Sequence, residues 1–183
     1  MIVDIKVVIP SCCKGIQQSI DNGGSYGIND ILPRYATEGS VGLDLKGLEL
    51  KEIYSGTKEV HPNIIKSANE RRFFTLREGE RALVGTGLFV AIPDGYELQI
   101  RPRSGMALKK GITILNSPGT IDQDYRGEIG LILINTTKFN LKINLEDKLA
   151  QGVLCPVAKL TQWNVVEKLE ETKRDTGGFG HTK

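Results

Sequence analysis

Histidine is nearly missing from this chain of 183 residues: there are two, His61 and His181, far apart in sequence. That scarcity argues against an imidazole-based zinc centre and against a Ser-His-Asp triad. Cysteine is also scarce. The adjacent Cys12 and Cys13 and the distant Cys155 make an odd count with no metal-ligand spacing, which argues against a disulfide framework and for a reducing compartment. With no basic cluster beside it, the vicinal pair reads as ordinary buried or loop thiols. An excess of charge is lacking as well: 24 basic residues face 22 acidic ones, so no broad field recruits nucleic acid or an anionic membrane, and any phosphate recognition must be local. No apolar run approaches the roughly 20 residues of a membrane span, and Asp4 and Lys6 interrupt the apolar opening. The expectation is a soluble, cytoplasmic, non-secreted protein with neither nucleic acid nor membrane as partner.

The length suits one well-buried core and is short for two ordinary domains. Val3, Ile5, Val7 and Ile9 alternate with Asp4 and Lys6, the period of a half-buried strand. Glycines and polar residues then dominate residues 10–40, predicting a long loop. Apolar-rich segments follow at 41–50, 81–92, 96–100, 112–115, 129–134, 141–145, 149–157 and 163–169, divided by turn signals such as Pro93-Asp94-Gly95. Many short strands with few helical stretches predict an all-β sandwich, jelly roll or barrel. The run from Ile129 to Ile134 is apolar at both alternating sets of positions, as expected of a central strand or a subunit interface. Residues 51–78 are polar and charged, a second enlarged loop with a solvated face, in which residues 63–72 are loosely compatible with a short helix. A better-marked helix opens with Ser104 as N-cap, continues through Met106-Ala107-Leu108, carries Lys109 and Lys110 in its last turn and stops at Gly111.

Three clusters carry chemistry. Arg101 and Arg103 flank the start of that helix, where free N–H groups would attract an anion without a Walker A loop; alternatively, Ser104 merely caps the helix and the arginines pair with carboxylates of the fold. Asp122 and Asp124 precede Tyr125-Arg126-Gly127-Glu128, either as turn residues satisfying amides or as a source of a general base. An anion cradle and a carboxylate in one stretch are what hydrolysis at phosphorus requires, since oxyanion charge must be neutralised and a water oriented or deprotonated. The last ten residues hold three glycines around Phe179, with Arg174 at their start. Ordering such a backbone costs about 1 to 2 kcal/mol per residue, so the segment 173–183 is expected to be disordered without ligand and to act as a lid over a base and its phosphates, set apart from a β domain over 1–172.

In order and spacing these clusters resemble the five short motifs of the all-β deoxyuridine triphosphatase (dUTPase) family. Ala36-Thr-Glu-Gly-Ser-Val-Gly-Leu-Asp-Leu45 resembles the first, Pro102-Arg-Ser-Gly-Met-Ala-Leu-Lys-Lys-Gly-Ile112 the second and Gly119-Thr-Ile-Asp-Gln-Asp-Tyr-Arg-Gly-Glu128 the third. Glu146-Asp-Lys-Leu-Ala-Gln151 resembles the fourth, and the stretch from Arg174 to Thr182 the fifth; only the loops at about 10–35 and 51–78 stand outside the match. The resemblance implies a jelly-roll-like β-barrel with one short helix and a flexible C-terminal arm, assembled as a homotrimer whose active sites are shared among subunits. It implies cleavage of dUTP to dUMP and diphosphate with Mg²⁺, which removes dUTP and supplies dUMP for dTTP synthesis. By residue, it implies that Asp122 activates the water attacking the α-phosphorus. Asn116, Thr120 and Ile121 would read the uracil edge, Tyr125 would pack on the deoxyribose, and Gly130 would join the substrate-binding set. Arg103, Ser104, Gly105 and Gln151 would hold phosphates, Asp44 would meet a water of the magnesium shell, and Arg174, Phe179, Gly180 and His181 would close over the nucleotide.

The chain departs from the family pattern at three places. Glu146-Asp147-Lys148 stands where Gly-Asp-Arg is usual, Asp175 replaces a glycine, and His181 replaces a serine; retained chemistry with altered affinity or pH dependence is expected. Two other readings are weighed. A deoxycytidine triphosphate deaminase of the same fold would need a further serine and an arginine where Gly105 and Leu108 stand. A nucleotide-dependent regulator, read by a protein partner, could use the enlarged loops.

Overall fold

The computed structural model describes residues 2–13, 28–60, 65–66 and 72–177. Among them, β1 (Asp4–Val7) pairs antiparallel with β8 (Leu88–Ala91). A five-stranded sheet runs in the order β10 (Ile112–Ile114), β12 (Gly130–Asn135), β7 (Arg81–Gly85), β3 (Glu49–Ser55), β4 (Lys58–Val60). A four-stranded sheet has the order β11 (Gly119–Ile121), β9 (Tyr96–Pro102), β14 (Lys148–Pro156), β2 (Leu43–Lys46). The last sheet joins β13 (Leu141–Asn144), β6 (Arg72–Leu76) and β5 (Ile65–Lys66). All these pairings are antiparallel, and the sheets close on one apolar core in a jelly-roll-like β fold. No described helix is long and apolar enough to cross a membrane.

Alternation decides which side of each strand meets that core. In β12, Leu131, Leu133 and Asn135 are fully buried while Ile132 and Ile134 are half-covered, and the strand lies between β10 and β7, so the central-strand reading holds. Fully burying a leucine contributes about 2 kcal/mol, and Phe74, Leu76, Leu88, Leu131 and Leu133 are each at 0 or 1 % exposure. Asn135 is the polar exception in this layer. Its Nδ2 donates to the carbonyls of Leu76 and Phe139, and its Oδ1 accepts from the N–H and hydroxyl of Thr137, so burial leaves neither end of the amide unsatisfied.

Several expectations need correction. Much of the loop expected over 51–78 is strand: β3 and β6 send Leu50, Ile53, Phe74 and Leu76 inward, while Lys51, Lys58, Glu59 and Thr75 stay exposed. A high charge count concealed that alternation. The helix expected over 63–72 is absent at its described positions, because Ile65 and Lys66 pair with Phe73 and Arg72 as strand; its other positions lie outside the described residues. Residues 163–169 form no strand: Trp163, Val165 and Leu169 stand exposed in a segment that finds no pairing partner among the described residues. Among the described residues there is a second helix beside the expected one, α1 (Ile28–Ile31), and a 3-10 turn at Ser11–Cys13. Finally, the main helix, α2 (Ser104–Lys110), takes Ser104 as its first residue. Arg103 occupies the N-cap in an extended conformation (φ −86°, ψ 134°) without a side-chain capping bond, while Gly111 ends the helix at φ 63° as the sequence demanded.

Candidate active site

The first cluster lies where β2, β9 and β14 run side by side. Register sets Gln151 of β14 opposite both Arg101 of β9 and Asp44 of β2. Just past the end of β9, the Arg103 guanidinium reaches back, its Nε 2.8 Å from Asp44 Oδ1 and its Nη1 donating to the Lys148 carbonyl at 2.9 Å. The Lys148 ammonium meets the other Asp44 oxygen at 2.7 Å. Gln151 Nε2 donates to the Pro102 carbonyl at 2.9 Å, and the same side chain fills the space that a Cβ at Gly42 would need. A side chain at 42 would displace the Gln151 amide. Ser104 and Gly105 stand exposed at the start of α2, and a Cβ at Gly105 would meet nothing in this chain. Two cations and the start of a helix therefore surround one carboxylate, which is a surface suited to a polyanion.

A second cluster lies at the end of β11. Thr120 and Asp122 are exposed, and the turn beyond them is closed by the Tyr125 N–H donating to the Asp122 carbonyl at 3.2 Å. Arg126 braces the turn by donating to the carbonyls of Gln123 and Tyr125. The Tyr125 ring folds over Gly127, where a Cβ would meet its ring atoms, and its hydroxyl donates to the Glu128 carbonyl at 2.9 Å. Asn116 packs its amide against Gly119. The Glu128 carboxylate accepts from the Gly87 N–H at 2.7 Å and pairs with Lys51 at 3.3 Å, which ties this turn to the five-stranded sheet.

The two clusters do not meet within one chain. Antiparallel register puts Ile121 opposite Leu98, so Asp122 lies beside the start of β9 whereas Arg103 follows its end. About six residues of strand separate those levels, roughly 20 Å at the usual strand rise. Asp44, Arg103, Ser104, Gly105 and Gln151 thus come together on one side, and Asn116, Thr120, Ile121, Asp122 and Tyr125 on the other, with Gly130 opening β12 beyond them. Arg174 is exposed and donates to the Gly177 carbonyl, while Phe179, Gly180 and His181 lie outside the described residues.

Two features escaped the sequence reading. Lys148 is a direct partner of Asp44, and Glu146, two residues before it in sequence, pairs with Arg72. The available signal was Glu146 itself, which stands where glycine was expected and adopts φ 77°; Asp175, the other acidic residue at a glycine position, adopts φ 45°. Left-handed backbone explains why glycine suits both places.

Comparison with known proteins agrees with this architecture. The family model for dUTPase matches residues 65–183. A deoxyuridine 5'-triphosphate nucleotidohydrolase of Chlamydia pneumoniae is 46 % identical over 163 residues, covering 89 % of this chain and 94 % of that protein. One from Desulfotalea psychrophila is 43 % identical over 151 residues, covering 82 % and 86 %. Among solved structures, a mutant dUTPase of Staphylococcus bacteriophage 80alpha with dUpNHpp superimposes with a TM-score of 0.69 at 18 % identity, covering 98 % of this chain and 97 % of that one. The dUTPase of Streptococcus mutans gives 0.59 at 22 % identity, covering 86 % and 98 %. Fold, motif geometry and extended sequence identity together make this chain a member of the dUTPase family of enzymes.

Proposed function

We propose that this chain cleaves dUTP to dUMP and diphosphate, with Asp122 as the general base. The carboxylate takes a proton from a water whose oxygen attacks the α-phosphorus, and the bond to the bridging oxygen of the leaving diphosphate breaks. Arg103 uses one N–H on Asp44 and one on the Lys148 carbonyl, and its remaining N–H groups are free to meet phosphate oxygens. Ser104, the Gly105 N–H and Gln151 supply further donors. Each such donor contributes about 3 to 4 kcal/mol to the transition state when it is aimed at developing charge. Asn116, Thr120 and Ile121 read the uracil edge, and a cytosine there would leave polar groups mismatched. Tyr125 is braced by the Glu128 carbonyl and by Gly127, a rigid wall against which a deoxyribose fits and a 2′-hydroxyl does not. Arg174 with Phe179, Gly180 and His181 closes over the bound nucleotide.

No group of three or more acidic, histidine or cysteine ligands occurs among the described residues, and both Asp44 oxygens already bear a cation contact. This donor set fits a hydrated Mg²⁺ carried by the triphosphate, with Asp44 accepting from a coordinated water through its remaining lone pairs. Bound so, the ion would neutralise charge on the phosphates.

Homotrimeric assembly with shared sites follows from the same reading. The separation of about 20 Å between the base-side and phosphate-side clusters supports it, because near-attack distances are about 3 to 3.5 Å. The exposed Leu160, Trp163, Val165 and Leu169 support it too, as does an apolar cavity of about 400 Å³ beside β1, lined by Val3, Ile5, Tyr35, Val90 and Leu154.

The observation that carries the chemistry is the Arg103–Asp44–Lys148 cluster in a chain of this family. Diphosphate release measured with dUTP, dCTP, dTTP and UTP should occur with dUTP alone, and Asp122→Asn should lower it by a factor of about 100 or more. An undiminished rate in that variant, or ammonia released from dCTP, would overturn the reading.

A further inference from the structure

The turn between β13 and β14 carries an unfavoured backbone conformation beside a buried cation. Glu146 sits at φ 77°, where a side chain is disfavoured and glycine is not. Its Oε1 lies 3.3 Å from Nη2 of Arg72, whose side chain is 7 % exposed. Backbone bonds pin the same turn: the Leu145 N–H donates to the Arg72 carbonyl, the Glu146 N–H to the Gly47 carbonyl, and the Gly47 N–H to the Asp147 carbonyl. Asn144 closes it by donating to the Asp147 carboxylate. Two residues beyond Glu146, the Lys148 carbonyl accepts from Arg103 and the Lys148 ammonium holds Asp44.

We propose that the Arg72–Glu146 pair is a positioning device: it keeps residue 146 left-handed and so fixes the Lys148 carbonyl and ammonium that aim Arg103 and Asp44 at the diphosphate portion of the substrate. The inference rests on the reading of Arg103 and Asp44 as phosphate-side residues. The Glu146 carboxylate supplies opposite charge to this buried guanidinium, and keeping that contact carries the backbone at 146 with it. If the carboxylate is removed but a Cβ kept, the turn can relax to negative φ and carry the Lys148 carbonyl away from Arg103. If the carboxylate and the Cβ are both removed, left-handed backbone is no longer penalised and the turn keeps its shape.

Comparing Glu146→Ala with Glu146→Gly therefore isolates the effect, since both lose the carboxylate and differ in the left-handed penalty. Inhibition constants for inorganic diphosphate and for dUMP, each competing with dUTP, provide the readout. Glu146→Ala should bind diphosphate about tenfold more weakly, with dUMP affinity changed less than about twofold, a difference the left-handed penalty is large enough to produce. Glu146→Gly should stay within about twofold of wild type for both ligands, at reduced thermal stability. Arg72→Met should reproduce the alanine phenotype, with Glu146→Gly restoring it; should that variant not fold, the comparison at position 146 decides alone. Equal diphosphate affinities in the alanine and glycine variants, or equal loss for both ligands, would overturn the proposal. Absence of dUTP cleavage by the wild-type protein would overturn the functional reading instead.

Discussion

On the proposed mechanism Arg103→Met and Asp122→Asn disable opposite halves of the site, and mixing the two variants tests how the site is assembled. Within one chain the register of β9 and β11 keeps these residues about 20 Å apart, far beyond the reach needed to act on one phosphorus. Under the proposed shared-site assembly, Asp122 comes from one subunit and Arg103 from another. Neither substitution threatens the fold: Asp122 is exposed, and Asp44 keeps Lys148 as partner when Arg103 is lost. Each variant alone should retain about 1 % or less of wild-type turnover, since a preoriented transition-state donor contributes a factor of about 100 to 1,000. In an equimolar mixture dissociated and reassembled at random, a site is intact when its Asp122 comes from the Arg103→Met chain and its Arg103 from the Asp122→Asn chain. The chance is one half for each, so about a quarter of all sites in closed rings should be intact. Diphosphate release per subunit after reassembly should accordingly rise at least about tenfold above either parent, toward about 25 % of wild type. Activity no greater than the parents' average, in trimers shown by mass spectrometry to be mixed, would refute shared sites and the separation on which they rest.

Two further outcomes concern stability. Asn135→Ala removes an amide that satisfies the carbonyls of Leu76 and Phe139 and the Thr137 N–H, and should cost about 2 to 4 kcal/mol in urea unfolding, whereas a loss below about 1 kcal/mol would mean that water replaces the amide. Lys51 is partly buried, which acts to lower its pKa, but its hydrogen bond to Glu49 and the charges of Glu128 and Glu49 outweigh this and raise it. With the folded value above the unfolded one, its contribution is complete below the ordinary lysine range and fades as pH rises through the folded value. Lys51→Met should therefore melt below wild type at about pH 8, by the equivalent of at most about 1 kcal/mol for so exposed a pair, and the two curves should converge as pH rises through the folded value. Parallel curves across that range would assign the lysine a packing role only.

Local rules carried the sequence reading a long way. Alternation around Asp4 and Lys6 found β1, the unbroken apolar run from Ile129 to Ile134 found the central β12, and the helix formers with Gly111 found α2 and its end. Charge density misled the reading over 51–78, because period-two burial survives when the outward residues are lysines and glutamates. Residues 163–169 misled it in the opposite direction, since β-propensity alone makes no strand and no described strand pairs with them. Glu146 and Asp175 were visible as departures, but their positive φ was not, and only the backbone connected Glu146 to a buried arginine 74 positions away.

By itself, the sequence determined the all-β class, the scarcity of imidazole and thiolate ligands and which residues make up the basic and carboxylate clusters, since these depend on residue type and short-range spacing. Tertiary structure alone decided which clusters touch. Pairing register is a long-range property, and it placed Asp44, Arg103, Lys148 and Gln151 on one side while setting Asp122 about six strand residues away.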